Sequence, residues 1–411
     1  MKALVLCGGI AQIQLIKELK SRGVYTILAD MNEKAPAVEY ADKFYPVSTL
    51  DIDGIRNLAK EENVDFILSV CADQMLLVAA QVSEELGLPC YIDYETAKNV
   101  SSKEYMKRIF VENGIPTSKH VVLDKLDRQS VESLEYPIIV KPVDCYSSRG
   151  VKRVYSYEEL EPAFENAVTC SRTKRAVVEE FIEGKELTVD AYIENGEAKI
   201  LCISEIYKIP ENNKFVIYRS SCPPIILDEV KELVKDTVQK IAVAFNLKDT
   251  PLHMQGITDG ISKLNVVEFC ARTGGGIKFR KIKNVSGFDV IKAVVDITMG
   301  RKPHVEMKEN NKYIISEYLY CHPGVFDHME GLEELLSEGV IKEYFVLKNQ
   351  GTEFEEIQSS GYRVACYTVE DDNIDNLLKN HQEAARRVKA ISVDGSDMLR
   401  RDLCENLNVN I

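Results

Sequence analysis

From Lys2 to about Asp93, short apolar β runs alternate with helical stretches: KALVLC, an amphipathic segment around Ile13 to Leu19, YTILA, a helix near Ile55 to Ala59, DFILSV, a further helix, and PCYID. Strands separated by helices of that length impose right-handed crossovers, and hence a parallel sheet covered on both faces. The first hundred residues therefore read as a Rossmann-like layer. The turn Cys7-Gly8-Gly9, with Asp30 after the second strand, invites a dinucleotide reading, but GxGxxG needs a third glycine where Ala11 to Gln14 stand. An NAD(P)-dependent dehydrogenase using Asp30 stays as an alternative to glycines that only make a tight turn.

A chain of 411 residues holds two or three domains, and 45% apolar with 28% charged residues is the balance of an ordinary globular protein. The net charge of −14 argues against a sequence-independent nucleic-acid interface, which needs many cations on one surface. Eleven cysteines without a CxxC pair read as reduced thiols, and no apolar run approaches the roughly 20 residues of a membrane span. The expectation is a cytoplasmic protein with no membrane or nucleic-acid partner.

Past the first layer, Ser101-Ser102-Lys103-Glu104 reads as a capping box with Ser101 as cap, opening a helix that runs to Asn113 before Gly114 and Pro116. A strand in YPIIVKPVDCYSSRG ends on Lys141, and the Ser147, Ser148, Arg149, Gly150 loop follows. A cation at the end of a buried strand, beside a loop with free backbone N–H groups, suits a nucleotide triphosphate. No GxxxxGK[ST] occurs, so the scaffold is not a Walker A loop. Asn195-Gly196 marks one hairpin and Gly260 to Lys263 the loop of another, with a helix from about Leu227 to Asn246 between them. From about Asn310 the expected order is strand, helix, strand, strand, helix.

Pairing Asp259 with Leu264 in the second hairpin sets Gln255 opposite Glu268 and His253 opposite Cys270, on one polar, metal-capable face. Met254, Val267 and Phe269 take the other face. Arg272 continues the alternation ahead of Gly274-Gly275-Gly276, where a ligand can approach the backbone. Cys145 and Cys270 read as structural thiols, and His253 as a structural histidine or a ligand.

The order of Lys103, Lys141 with its loop, VVEEFIEGKELTVD and NVVEFCARTGGG resembles the ATP-grasp superfamily, and within it the stand-alone carboxylate–amine ligases such as L-amino acid ligases. The resemblance implies an α/β chain: a Rossmann-like N-terminal parallel sheet (1–100), ATP-grasp α+β central domains (101–305) with a mobile lid at about 125–195, and a small α+β C-terminal domain (306–411). It implies ATP and Mg²⁺ as cofactors. Lys103 and Lys141 then bind the α- and β-phosphates, and the 147–150 loop covers the triphosphate. Glu179 and Glu180 begin the strand whose backbone, through Phe181 and Ile182, holds adenine, and Glu186 binds the ribose. Glu268 binds Mg²⁺ with Gln255 beside it, and Arg272 stabilises the carboxylate and acyl-phosphate. Members usually carry an acid where Gln255 stands and an Asn where Cys270 stands, which bears on how many metal ions bind. The expected activity joins a small carboxylate to an amine, in a protein whose relatives suggest a homodimer. A degenerate nucleotide-binding protein with little catalysis is the alternative. Specificity is expected from about Glu205 to Pro224, the region near Arg280, and the C-terminal domain.

Overall fold

The computed structural model describes residues 1–145, 148–211, 215–308, 310 and 312–405. The N-terminal sheet is parallel, with Lys2–Leu6 between Tyr25–Ala29 and Phe66–Leu68, and Lys43–Tyr45 on the outer edge. Its strands are buried on both faces, the Ala3, Val5 and Leu28 side against helix Ile10–Ser21, and the Leu4, Leu6 and Ile27 side against helices Ile52–Glu62 and Asp73–Leu86. The segment PCYID forms no strand; it leads into helix Tyr94–Val100, capped by Asp93 accepting from the Thr96 N–H.

The expected capping box is displaced by one residue. Ser102 caps helix Lys103–Glu112 by accepting from the Tyr105 N–H, while Ser101 closes the preceding helix by donating to the Ala97 carbonyl. Glu104, expected to reach back to the cap, instead takes both oxygens to Arg175 Nη1.

Two antiparallel sheets follow. Four strands (His120–Leu123, Ala176–Glu180, Ile138–Pro142 and Lys152–Val154) form a small sheet under helix Tyr157–Cys170. Eight strands form the large sheet, in the order Leu264–Cys270, Thr250–Thr258, Lys185–Glu194, Glu197–Lys208, Ile217–Cys222, Tyr313–Leu319, Ala365–Asp371 and Glu343–Val346. It crosses residue 305 without a break, because Ile217–Cys222 pairs with Tyr313–Leu319. The C-terminal region also holds strand Gly324–Glu330, which the expected element order lacks, in a third sheet with Glu353–Phe354 and Lys389–Ser392.

The second hairpin carries a bulge. Gln255 pairs with Glu268 and His253 with Cys270 as expected, but nearer the loop Thr258, not Asp259, pairs with Leu264. Val267 is the extra residue, and Val266 takes the core place beside Met254 and Phe269. A Cβ on Gly256 would lie 2.9 Å from Leu264 Cδ1 and 3.2 Å from the Asn265 carbonyl, so the bulge needs that glycine.

All eleven cysteines are free thiols, and six of them are buried. Burial raises Cys71, Cys321 and Cys366 to about 12. These thiols stay protonated in the fold but ionise near 9 in the unfolded chain, so the folded state binds more protons in between, and stability falls as pH rises. Thermal midpoints measured from pH 8 to 10.5 should be level until about pH 9 and then drop steeply.

Candidate nucleotide cleft

The small sheet faces the large one across a cleft of about 740 Å³. Strand alternation decides what enters it: Ile138, Val140, Ala176 and Val178 pack under the 157–170 helix, while Ile139, Lys141 and Glu179 face the cleft. Lys141 and Glu179 sit two positions apart across neighbouring strands, and their side chains meet at 2.5 Å. Burial works against the Glu179 charge, but Lys107 and Lys141 outweigh it and hold the carboxyl far below the usual range. Burial also draws Lys107 down to about 8.

Opposite stand Glu268 and Gln255, both lining the cleft. Lys103, at the start of its helix, donates to the Cys145 carbonyl at 2.7 Å and lies 3.2 Å from Glu268. Despite burial, Lys103 is kept charged by Glu268 and Glu268 by Lys103. Glu180, Phe181, Ile182 and Glu186 line the other end of the cleft. The Phe181 N–H donates to the Pro137 carbonyl, whereas the Ile182 N–H has no partner among the described residues. Glu186 pairs with Lys208 at 2.5 Å, and the Arg153 guanidinium lies 4.8 Å from the Phe181 ring centre. Ser148 donates to the Phe215 carbonyl at 2.9 Å, and exposed Arg149 also lines the cleft. Gly150 lies just beyond, with φ at +75°, and Ser147 falls outside the described residues.

Arg272 is held apart from the main cleft. Its Nε and Nη2 donate to the two oxygens of Asp73, at 2.8 and 2.6 Å, and its Nη1 donates to the Thr273 carbonyl. Asp73, Lys103, Glu268 and Cys270 line a recess of about 50 Å³ that adjoins the cleft through Lys103 and Glu268. His253 does not reach the cleft. Burial and the Lys278 charge keep its ring neutral, and its Nδ1 lies 2.7 Å from Asp190 and its Nε2 3.3 Å from Lys278. A Cβ on Gly274 would lie within 3.1 Å of His253 Nδ1 and Asp190 Oδ1, so only glycine lets the loop cross this cluster.

As for a metal, Gln255 and Glu268 offer two oxygen donors side by side, which suits a hard cation that also keeps water and phosphate ligands. Cys270 does not add a third: burial raises its thiol well above the ordinary range, and sulfur is a soft ligand. No cluster of three His, Cys, Asp or Glu side chains able to hold a metal occurs among the described residues.

Sequence reasoning missed Lys107, Asp73 and Arg363. Lys107 lies four residues after Lys103, on the same helix face, which was the available signal. Asp73 carries no local signal, its partner being 199 residues away. Arg363 comes from the C-terminal region, where its Nε donates to Tyr320 Oη at 3.0 Å, its Nη2 to the Ile217 carbonyl at 3.1 Å, and the Tyr318 ring lies 3.9 Å away. Its Nη1 faces Gly276, 3.9 Å from where a Cβ would stand, and the groups that act on it among the described residues are Tyr320, Tyr318 and Cys366, with no carboxylate.

A cleft between two antiparallel sheets, with Lys141 from one, Glu268 from the other and Lys103 from a helix beside them, defines a nucleotide-binding α/β protein. Residues 134–280 match the ATP-grasp domain family, and residues 4–90 match the PylC-like N-terminal domain family. The chain thus carries an ATP-grasp domain behind a PylC-like N-terminal domain. It is 28% identical over 249 residues to a formate-dependent phosphoribosylglycinamide formyltransferase of Ignicoccus hospitalis, covering 58% of this chain and 61% of that protein. The chain thus spans less than two thirds of that relative's length. Its fold is that of L-amino acid ligase from Bacillus licheniformis, at a TM-score of 0.81, 20% identity and coverage of 95% and 98% of the two chains. The biotin carboxylase domain of 2-oxoglutarate carboxylase from Hydrogenobacter thermophilus, in complex with MgADP, aligns at 0.79, with 18% identity over 99% of this chain and 93% of that one.

Proposed function

We propose that the protein is an ATP-dependent carboxylate–amine ligase. The observation that carries this reading is the meeting of Lys103, Lys141 and Glu268 around one cleft whose far end is lined by Glu180 to Ile182 and Glu186. Lys103 and Lys141 bind the α- and β-phosphates, and the loop from Ser148 to Gly150 covers the triphosphate as part of a lid. The Ile182 backbone holds adenine, and Glu186, exchanging Lys208 for the ligand, binds the ribose. Glu268 with Gln255 holds Mg²⁺ brought in with the nucleotide. Transfer of the γ-phosphoryl group to a substrate carboxylate gives an acyl-phosphate and releases ADP; an amine attacks the acyl carbon, phosphate leaves with the C–O bond, and the amine nitrogen gives up a proton as the amide forms. Arg272, set by Asp73, offers its charge beside the recess where those anions crowd. The reading includes a cytoplasmic protein of three functional units (1–100, 101–305 and 306–411) assembled as a homodimer. No helix among the described residues is long and apolar enough to cross a membrane.

The departures at Gln255 and Cys270 favour one second reading, a nucleotide-binding protein with little turnover. Phosphate release from Mg-ATP, screened over pairs of carboxylic and amino acids, separates the two: the ligase releases phosphate only with a cognate pair, and the binder with none. A dehydrogenase fits less well, since Asp30 is committed to the Gly8 N–H at 2.7 Å and to that of Asn32.

Arg363 bears on the substrate. A guanidinium held by neutral acceptors, with its free edge toward a loop of three glycines, suits a substrate carboxylate other than the one activated. Arg363→Ala should raise KM about 30-fold for an amino-acid substrate and leave KM for ATP unchanged. A carboxamide analogue should be equally poor with both proteins; an unchanged KM for the acid removes Arg363 from recognition.

A further inference from the structure

Lys107 is 1% exposed and does not line the cleft, yet it touches the group that holds the cleft's main cation. Its ammonium lies 2.7 Å from Glu179 Oε2 and donates to Thr117 Oγ1 at 2.6 Å and to Ser118 Oγ at 3.0 Å. Ser118 Oγ in turn donates to the same Glu179 oxygen at 2.7 Å. All three protons of Lys107 are therefore used. Lys141 differs: it takes the other oxygen, Glu179 Oε1, and has no further hydrogen-bond partner among the described residues. One buried carboxylate thus serves two lysines, of which one is fixed and the other faces the cleft.

The asymmetry has a physical consequence. For Lys141 to grip a phosphate, it must loosen from Glu179, and a buried carboxylate that loses its only cation is costly. With Lys107 and Ser118 in place, Glu179 keeps charge-assisted bonds after Lys141 leaves. We propose that Lys107 is a positioning residue that retains Glu179 while Lys141 transfers from Glu179 to the nucleotide phosphates. Glu179 is then a parking counter-ion: it holds Lys141 at the cleft wall, and gives it up at small cost. The inference rests on the ATP site proposed above and adds a role for a lysine that no nucleotide touches.

The test measures equilibrium binding of Mg²⁺ with AMP-PNP, and separately of adenosine, to the full chain. Lys107→Met leaves Lys141 as the sole counter-ion of Glu179, so AMP-PNP should bind about 30-fold more weakly, ~2 kcal/mol at 1.4 kcal/mol per tenfold. Adenosine, which has no phosphate to recruit Lys141, should bind as to wild type. Adding Glu179→Gln removes the charge that holds Lys141, and the double variant should recover AMP-PNP binding to within about threefold of wild type. Equal weakening of adenosine would mark Lys107 as merely structural, and a double variant as weak as the single one would refute the exchange. Should the single variant not fold, the double variant, which leaves no buried carboxylate short of a cation, decides alone: a tenfold or greater loss of AMP-PNP affinity overturns the inference. A wild-type protein that binds adenosine but not AMP-PNP also overturns it, and one that binds neither overturns the ATP site itself.

Discussion

Glu268→Gln should lower substrate-stimulated phosphate release by about 10²- to 10³-fold, the size of effect expected when one preorganised charge is removed from a site where anions gather. The argument is electrostatic. Glu268 is the one carboxylate in its row of the hairpin, opposite an uncharged Gln255 and beside a buried thiol at Cys270. No second acid in the row can take over its contact with a cation. Lys103 keeps its bond to the Cys145 carbonyl and can still donate to the oxygen of the new glutamine, so adenosine binding and the thermal midpoint should hold while turnover falls. Release measured over a Mg²⁺ titration checks the claim. Activity within threefold of wild type, at the same Mg²⁺ midpoint, would place the metal elsewhere and return the degenerate reading.

The largest loss of stability is expected far from the cleft. Arg219 and Glu317 face each other across paired strands of the large sheet, and both side chains are shut off from solvent. Arg219 Nε donates to Glu317 Oε2 at 2.6 Å, and its Nη2 donates to the Leu403 and Cys404 carbonyls at 3.2 Å each. His381, from helix Ile374–Arg387, meets the same Glu317 oxygen at 3.2 Å. Arg219→Met strands the carboxylate and frees two carbonyls near the end of the described chain, a loss of about 3–5 kcal/mol. The thermal midpoint should fall by roughly 5–10 °C. Arg219→Met/Glu317→Met removes both charges and should be less damaged than the single variant, because no buried charge is left alone. Equal midpoints for the two variants would mean that the carbonyl bonds, and not the ion pair, carry the stability.

What could be read from the sequence followed the reach of each interaction. The pairing of Gln255 with Glu268 was legible because alternation along two short strands fixes which residues share a face. The bulge at Val267 was not, since the extra residue changes the loop-side register without altering the pattern of apolar letters. PCYID has the composition of a strand, but its backbone turns into the Asp93-capped helix instead. Lys141 was found from its place at a strand end before a flexible loop. Its partner Glu179 was singled out for its backbone, although its side chain makes the ion pairs. Lys107 was passed over, because the carboxylate that pairs with it comes from a strand 72 residues later. Arg272 was expected at the reaction centre; the bidentate grip of Asp73, from the first layer, depends on packing between layers that no local pattern encodes.

The eight-stranded sheet that crosses residue 305 fixes one more property. The strand that bears Glu268 and the strand entered just after Arg363 belong to the same hydrogen-bonded ribbon, twisted by about 20–25° at each of its steps. On the ligase reading proposed above, the gap between Glu268 and the Arg363 guanidinium is set by that ribbon, and substrates would be sorted by span as much as by charge.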